Sequence, residues 1–319
     1  MHRALKSTGS LYLHCDPTAS HYLKLVLDAI FGPTNFQNEI IWQRTSARSD
    51  SHRWNHIHDI ILFFSKGSDF IWNTQFIPYE TSYIKKFYRH IEEDTERRFQ
   101  ADNLTASGTR NGSSGETWRG IDVRAKGLHW KYTIEKLEEL DKEGRIVWPK
   151  KKGGVPRYKR YLDEMPGRAI QSIVTDISPL SAQSAEKMGY PTQKPLELLK
   201  RIVLASSNPG DVVMDPFCGC GTTIDAVETI NRETPDQPPR TWVGIDVTHL
   251  SINLIKHRLT RFTPLPEYEV LGEPESAGGA EALFQHDPFQ FQYWAMGLIG
   301  ARPFGGAKKK GADKGIDGV

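Results

Sequence analysis

Apolar positions in the first 72 residues follow the order strand, helix, strand, strand. Ser10–Cys15 is a short apolar run that ends at Asp16-Pro17, and the apolar positions of residues 20–31 repeat at helical spacing before Gly32-Pro33. A glycine followed by a proline is typical of a helix C-terminus. Two β-rich runs follow, at residues 39–42 and 59–64. This order predicts part of an α/β layer.

Regular patterning returns after Gly189. It predicts a helix at 195–206, a buried-type strand at 211–214, a turn at 219–221, a helix at 222–230, a strand at 241–246 and a helix at 250–259. Strands that alternate with helices in this order are typical of a parallel sheet. We therefore expect an α/β fold, doubly wound and Rossmann-like.

Between these two regions the periodicity is weak. Residues 102–120 are rich in Ser, Thr, Gly and Asn and predict a loop, whereas residues 132–143 predict an amphipathic helix. Residues 145–168 hold eight Lys and Arg against two acidic residues, a balance of +6, with Trp148, Tyr158 and Tyr161 among them. Such a segment is either a solvated charged surface or a surface that follows nucleic-acid phosphates.

The composition of the whole chain excludes little by itself. The 319 residues carry 41 Lys and Arg against 39 Asp and Glu, and the basic segment is offset by residues 269–287, which hold five acidic residues and no Lys or Arg. Near-neutrality therefore does not exclude DNA as a partner. No apolar run approaches membrane-spanning length, and no apolar segment follows the first residues. With only three cysteines, we expect a cytoplasmic protein with no membrane partner.

The most informative stretch is a glycine turn between a strand and a helix, Asp215-Pro216-Phe217-Cys218-Gly219-Cys220-Gly221-Thr222. Glycines there let the backbone approach a ligand closely, and an acid at the strand end suits a cationic ammonium group. Asp246, at the end of the next strand, is placed to bind ribose hydroxyls. Together these features favour a cofactor that contains a nucleoside; a tight structural turn and a nicotinamide cofactor remain open on this pattern.

Joined to the segment Thr192-Gln193-Lys194-Pro195, this turn resembles the type II DNA amino-methyltransferases, the N6-adenine/N4-cytosine family that uses S-adenosylmethionine. The likeness is to the permuted, β-type members, in which the catalytic half precedes the cofactor half. It covers residues 1–72 and 186–262, and it implies the methyltransferase form of the Rossmann-like fold.

The resemblance also implies a set of cofactor-binding residues. Phe217 would pack on the adenine, Asp215 would meet the ammonium group, and Lys194 would lie near the cofactor carboxylate. Asp246 takes the position of the ribose-binding acid. The full set comprises Thr192, Gln193, Lys194, Pro195, Asp215, Pro216, Phe217, Gly219, Gly221, Thr222 and Asp246.

By the same resemblance, the expected organisation has five parts. Residues 1–72 belong to the catalytic half, 73–170 form the target-recognition region, 171–265 bind S-adenosylmethionine, 266–287 are an acidic linker, and 288–319 resemble the start of an Mrr-type restriction-endonuclease domain. The expected partner is double-stranded DNA. The predicted DNA-binding residues are Lys150, Lys151, Lys152, Arg157, Lys159 and Arg160.

The expected reaction is methyl transfer to an exocyclic amino group, with adenine N6 favoured over cytosine N4. The family's catalytic loop is Asp/Asn/Ser-Pro-Pro-Tyr/Phe, and no such tetrapeptide occurs in the 319 residues. We therefore predict no catalytic residue, and expect an N-terminally incomplete copy or a catalytic half on a separate chain.

At the other end, Asp317 stands where the nuclease family places its first metal-binding acid, without a partner, so no metal site is predicted. The resemblance implies a possible cognate restriction endonuclease, fused or separate. Two other classes stay open: a nicotinamide-linked oxidoreductase, and a catalytically silent DNA-binding fragment or subunit of a restriction-modification system.

Overall fold

A computed structural model describes residues 1–45, 52–151, 153–181 and 183–301. The chain divides into two compact units: unit 1 comprises Met1–Gln75 and Gln171–Val319, and unit 2 comprises Phe76–Ile170. Unit 2 differs by three residues at its start from the predicted recognition region 73–170, whose role stays a prediction. Lys152 and residues 302–319, which include Asp317, lie outside the described residues, whereas residues 288–301 of the expected nuclease-like segment are described.

The elements are numbered in chain order. The first part of unit 1 contains β1 (Ser10–Cys15), α1 (Pro17–Phe31), β2 (Phe36–Gln43) and β3 (His58–Ser65). Unit 2 contains β4 (Phe76–Ile77), α2 (Thr81–Phe87), β5 (His90–Ile91), β6 (Arg98–Asn103), β7 (Thr105–Ser107), β8 (Leu128–Trp130), α3 (Ile134–Lys142), β9 (Ile146–Val147), β10 (Arg157–Tyr161) and β11 (Arg168–Ala169). The rest of unit 1 contains β12 (Ile173–Val174), α4 (Leu196–Ser206), β13 (Val212–Asp215), α5 (Thr222–Glu233), β14 (Thr241–Gly244), α6 (His249–Leu259), α7 (Ala277–His286) and α8 (Pro288–Leu298).

Helix α1 begins three residues before the predicted start because its N-terminus is capped. The carboxylate of Asp16 accepts hydrogen bonds from the backbone N–H groups of Thr18 and Ala19, and Pro17 occupies the first helical turn. The helix ends at Phe31, before Gly32 at φ +86°, as the Gly32-Pro33 pair predicts.

Unit 1 contains a four-stranded sheet in the order β1-β3-β2-β12, in which β2 and β3 pair antiparallel and β12 pairs parallel to β2. Alternate residues of β1 face opposite sides: Leu11 and Leu13 pack with α1, whereas Tyr12 packs in the cluster that includes Leu198 of α4. Helices therefore cover both faces of this sheet, and the predicted doubly wound α/β class is confirmed.

A second sheet of unit 1 pairs β13 parallel to β14, with Val212 opposite Thr241 and Asp215 opposite Gly244. Helix α5 covers this pair through Val227 and Ile230, which pack with Val213 and Trp242. Helix α4 joins the same cluster through Val203. The predicted strand–turn–helix–strand–helix order of residues 211–259 is thus confirmed, and it places the glycine turn at the carboxyl end of β13.

Unit 2 has its own core, in which Trp118, Trp130 and Leu137 are fully buried. Its largest sheet has the order β5-β6-β10-β9. The prediction of a loop over residues 102–120 is partly wrong, since β6 extends to Asn103 and Thr105–Ser107 pair with Leu128–Trp130. Burial of Leu104 in the core stabilises this short strand, whose three residues are too few to show a periodicity.

The predicted acidic linker is not extended throughout. Residues 277–286 within it form α7, whose first turn is capped by Ser276, and α8 follows directly. Helix α8 packs on α6, where the backbone N–H of His249 donates to Oε1 of Gln290 at 2.9 Å. Among the described helices, none is long and apolar enough to cross a membrane.

Candidate cofactor site

The turn after β13 needs glycine at two positions. Gly219 has φ +50° and Gly221 has φ +74°, a region that other residues enter at a cost. A Cβ on Gly219 would lie 2.9 Å from Cε1 of Tyr190, and one on Gly221 would lie 2.6 Å from Cγ1 of Ile255. Because both Cβ positions are already filled by side chains, glycine at these positions lets the turn pack tightly against its neighbours.

Asp215 lies at the carboxyl end of β13, where the turn starts. Its Oδ1 accepts from the backbone N–H of Phe217 at 3.1 Å, and its Oδ2 accepts from Oγ1 of Thr223 at 2.5 Å. A carboxylate oxygen has two lone pairs, so each oxygen keeps one acceptor position. The carboxylate is thus held in place by neutral donors. Thr223 is a supporting residue that our sequence predictions missed, although it follows the predicted Thr222.

Asp246 lies two residues beyond β14 and reaches the same turn. Its Oδ2 accepts from the backbone N–H of Gly219 at 2.9 Å, and its Oδ1 accepts from the N–H and the hydroxyl of Thr248, each at 3.0 Å. The structure therefore brings Asp246 to the glycine turn, as the spacing predicts. Two carboxylates converge on one short backbone segment from neighbouring parallel strands.

Two other predicted residues of the turn have opposite environments. Phe217 is 77% exposed, so its ring is free to stack on a flat ligand. Thr222 is buried, with its Oγ1 3.8 Å from Sγ of Cys220. Pro216 connects Asp215 to Phe217. The roles assigned to these three residues stay predictions.

The segment from Thr192 to Pro195 folds around Gln193. Its Oε1 accepts from the backbone N–H of Met188 at 2.7 Å, and its Nε2 donates to the carbonyl of Glu186 at 2.6 Å. Just before this segment, the Tyr190 ring lies against Gly219, and its hydroxyl is 3.4 Å from Oγ of Ser251. Tyr190 thereby joins the segment to the glycine turn.

Thr192 does not cap α4. The cap residue is Pro195, which offers no side-chain acceptor, and the backbone N–H of Leu196 instead donates to Oε1 of Glu186 at 2.7 Å. Burial raises the pKa of Glu186, with nearby Arg258 and Arg261 opposing the shift. A carboxylate ten residues away thus takes the capping role, which the local sequence does not indicate.

Lys194 lies in a polar cluster that sequence reasoning did not assemble. Its Nζ donates to the carbonyl of Thr192 at 2.7 Å. Burial lowers the pKa of Lys194; Asp59 opposes the shift and Arg44 adds to it. Asp59 is only 3% exposed and its Oδ2 is 2.9 Å from Nε2 of His14, at the end of β1. An ammonium whose charged form is disfavoured gains most from an added anion, so this position suits a carboxylate ligand.

His14 belongs to the same cluster. Its pKa is lowered, first by burial and then by the charge of Lys194, against the opposing effect of Asp59. The signal that could have revealed this cluster is the presence of the ionisable residues His14 and Asp59 in two mostly apolar strands. The two strands are far apart in sequence, and only their antiparallel pairing brings the residues together.

Beneath the turn, α5 and α6 are joined by a buried ion pair. Asp225 and Arg258 are 1% and 4% exposed, and their oxygen and nitrogen atoms are 2.8 Å apart. Nη2 of Arg258 also donates to Sγ of Cys220 at 3.6 Å. Burial raises the pKa of the Cys220 thiol and raises that of Cys218 to about 12, so both stay protonated at neutral pH. The cysteines therefore fill space in the turn.

The predicted DNA-binding residues lie in unit 2 and fall into two groups. Lys150 and Lys151 are exposed in a turn, and Nη1 of Arg157 donates to the carbonyl of Ala101 at 3.3 Å. Lys159 and Arg160 instead make ion pairs, with Glu92 at 2.6 Å and with Asp102 at 2.7 Å. The positive charge of the basic segment is therefore partly neutralised by acids of neighbouring strands.

The sequence profile of the N6/N4 DNA methylase family matches residues 1–257, and the chain belongs to this family. It is 34% identical to the type II methyltransferase M.EcaI of Enterobacter cloacae over 259 residues, which cover 81% of this chain and 54% of the relative. It is 27% identical to the StyLTI Mod subunit, a type III restriction-modification enzyme of Salmonella typhimurium, over 76% of this chain and 38% of that subunit.

The chain therefore spans about half, or less, of these relatives' lengths. Among solved structures, the M1.HpyAVI–SAM complex shares 16% identity with a TM-score of 0.38, covering 80% of this chain and 76% of the other. Family membership confirms the predicted methylase class and disfavours the nicotinamide-linked alternative.

Proposed function

We propose that this chain is an S-adenosylmethionine-dependent DNA amino-methyltransferase of a restriction-modification system. One observation carries the proposal most directly: the carboxylates of Asp215 and Asp246 converge on the glycine turn after β13, in a chain of the DNA methylase family. The target is an exocyclic amino group of a DNA base, adenine N6 in preference to cytosine N4. A cognate restriction endonuclease, fused or separate, is part of this proposal.

The residues present fit this cofactor. The positive φ angles of Gly219 and Gly221 set the path of the turn, and the exposed ring of Phe217 offers a face for the adenine. Asp246 has one acceptor position left, on Oδ2, for a ribose hydroxyl, and Asp215 has one left on each oxygen for the ammonium group. Lys194 provides a positive charge for the carboxylate. When bound, S-adenosylmethionine supplies an electrophilic methyl group on a sulfonium.

The protein's own contribution is therefore to orient a charged cofactor. Hydrogen bonds from Phe217, Thr223, Gly219 and Thr248 hold both carboxylates before a ligand arrives. Such preorganisation reduces the ordering cost of binding. Since the 319 residues contain no Asp/Asn/Ser-Pro-Pro-Tyr/Phe tetrapeptide, we assign no residue of this chain to proton removal from the target amino group.

Calorimetry with S-adenosylhomocysteine and with NAD tests the cofactor. We expect the chain to bind S-adenosylhomocysteine and not NAD, and Asp246→Asn to weaken that binding by about tenfold or more, as loss of a charge-assisted hydrogen bond would. The matched control is Asp236→Asn, at an exposed acid of the same unit, which should leave affinity unchanged. Binding of NAD alone would refute the proposal.

Transfer of a tritiated methyl group to unmethylated duplex DNA tests the reaction. Because the family's catalytic tetrapeptide does not occur in the 319 residues, we expect little or no transfer by this chain alone. Where transfer occurs, digestion of the product to nucleosides should place the label on N6-methyl-2′-deoxyadenosine rather than on N4-methyl-2′-deoxycytidine, and label on cytosine would overturn the choice of base alone. Robust transfer by the 319 residues alone would refute the prediction that the catalytic loop is missing, whereas cofactor binding without any transfer would support the silent DNA-binding alternative.

A further inference from the structure

Three loops of unit 2 meet through backbone and side-chain hydrogen bonds. The loop at 108–112 joins the loop at 122–127, since the N–H of Gly108 donates to the carbonyl of Gly127 at 2.9 Å. Arg124 donates from Nη2 to the carbonyl of Arg110 at 2.8 Å. Residues 149–151 and 153–154 join them, since Nζ of Lys126 donates to the carbonyl of Gly153 at 2.7 Å. We call these loops the basic loop cluster.

The cluster carries an uncompensated positive charge. Its exposed cations are Arg110, Arg124, Lys126, Lys150 and Lys151. None of the five makes an ion pair with a carboxylate in the part of the chain that the structure describes. Asp122 is the one acid among the described residues of these loops, and its Oδ1 accepts from the backbone N–H of Ala125 at 3.1 Å.

Two of the cluster's cations, Arg124 and Lys126, donate to neutral carbonyl oxygens, which orient a charge without cancelling it. The basic residues of the neighbouring sheet differ. Lys159 pairs with Glu92, Arg160 with Asp102, and Arg145 with Glu164 at 2.6 Å. The hydrogen bonds from Lys159, Thr95 and Tyr161 lower the pKa of Glu92 to about 2, so this carboxylate remains charged at neutral pH. A phosphate at the sheet would have to displace an acid that is already bound.

The backbone of the cluster is also accessible. Gly112 and Gly153 have φ +83° and +76°, and a Cβ on either would meet nothing within 4 Å. The space beside these two exposed glycines is open, so a ligand can approach the backbone there. Several exposed cations at the tips of loops are what a surface that follows a row of phosphates requires.

We propose that the basic loop cluster binds the phosphate backbone of double-stranded DNA, with Arg110, Arg124 and Lys126 joining Lys150 and Lys151. The inference rests on the proposed function, because that function is what identifies the bound polyanion as DNA. It adds three residues to the predicted DNA contacts, and it removes Lys159 and Arg160, whose charges are neutralised within unit 2. The contacts are to phosphates, so they set affinity rather than sequence preference.

The test is the salt dependence of binding to a duplex of about 30 base pairs, measured with the full chain. We choose Arg110→Gln, Lys150→Gln and Lys151→Gln in one variant, because these side chains support no loop of the cluster. Each phosphate that is left without its cation should decrease the slope of log K against log salt by about 0.9. The slope of the triple variant should thus be smaller by about 2–3, and the variant should bind at least tenfold more weakly.

The matched control removes three exposed positive charges elsewhere in unit 2, by Lys85→Gln, Lys86→Gln and Arg89→Gln. It should retain most of the wild-type slope. An equal decrease for both variants would show that total charge matters and would overturn the assignment, as would an unchanged slope in the cluster variant. If the wild-type chain shows no salt-dependent duplex binding, this proposal and the DNA substrate both fail, whereas S-adenosylhomocysteine calorimetry still tests the cofactor independently.

Discussion

The glycine turn of unit 1 and the sheet surface around β10 of unit 2 both present charged side chains with internal partners, but these partners have opposite effects. At the turn, Asp215 and Asp246 accept hydrogen bonds from backbone N–H groups and hydroxyls. Around β10, Lys159 and Arg160 contact carboxylates. Neutral donors orient a carboxylate and leave its charge for a ligand, whereas an opposite charge orients a side chain and cancels it.

The difference shows which charged residues remain available to a ligand. A residue that only donates to or accepts from neutral groups can meet a charged ligand without breaking an ion pair. By this criterion Asp246 and Lys150 remain available, and Arg160 does not. The type of internal partner thus separates residues that look equivalent by charge and exposure alone.

The largest expected effect concerns the ion pair of Asp225 and Arg258, which is buried beneath the turn. Arg258→Met leaves Asp225 buried with only the partly exposed Arg261 as a charged partner, so we expect the protein to lose about 3–5 kcal/mol of stability. Urea denaturation measures this loss. Arg261→Met is the control, because its side chain is 46% exposed, and it should cost clearly less. Equal costs would contradict the view that burial makes this pair essential to the turn.

A second prediction concerns the backbone of the turn. Gly221→Ala combines an unfavourable φ of +74° with a Cβ 2.6 Å from Ile255, so it should destabilise unit 1 by about 2–4 kcal/mol and weaken S-adenosylhomocysteine binding. Gly210→Ala separates the two causes, since φ at Gly210 is +82° but the nearest atom to an added Cβ is 3.7 Å away. We expect this variant to lose about 1–2 kcal/mol of stability. Thermal denaturation compares them. If the two variants melt alike, close packing at Gly221 contributes nothing.

Short-range patterns predicted the fold of unit 1 well. The alternation of Leu11, Tyr12 and Leu13 determines which face of β1 meets which helix, and Gly32-Pro33 ends α1. The same holds for the turn, because Asp215, Gly219 and Gly221 are adjacent in sequence and their geometry follows from local backbone constraints. The capping of α4 by Glu186 could not be predicted, since the carboxylate comes from ten residues upstream.

The sequence alone could not predict which charged residues form ion pairs with each other. Glu92 and Asp102 lie 67 and 58 residues before their partners Lys159 and Arg160, and strand pairing of β6 with β10 is what brings Asp102 and Arg160 together. A net charge counted over residues 145–168 includes none of these distant acids. The His14–Asp59 contact was missed for the same reason, since it depends on the register of β1 and β3.

A smaller effect is expected at Glu92, where the comparison can be tested by pH. The folded pKa of Glu92 is about 2 and its ordinary value is 4.5, so its stabilising contribution is complete above about pH 4.5 and is lost as the pH falls towards 2. Glu92→Gln should cost about 1 kcal/mol at pH 7, as for a partly exposed pair, and progressively less below pH 4.5. Denaturation midpoints of the wild type and the variant between pH 3 and pH 7 should differ less as the pH falls. Glu93→Gln, at the exposed neighbouring acid, should give a small difference that does not change with pH; a constant cost for Glu92→Gln would contradict the role of its ion pair.

The smallest effect is expected for the exposed pair Arg160–Asp102, whose atoms are 2.7 Å apart and whose side chains are 41% and 24% exposed. A double-mutant cycle of Arg160→Gln and Asp102→Asn should give a coupling below about 1 kcal/mol that decreases with added salt.

The same variants distinguish the two kinds of partner in DNA binding. Because Asp102 already neutralises Arg160, Arg160→Gln should weaken duplex binding less than Lys150→Gln does, and Asp102→Asn should strengthen it by releasing the guanidinium. If Asp102→Asn leaves duplex affinity unchanged while Arg160→Gln weakens it as much as Lys150→Gln, then internal ion pairing does not decide which cations of unit 2 meet DNA.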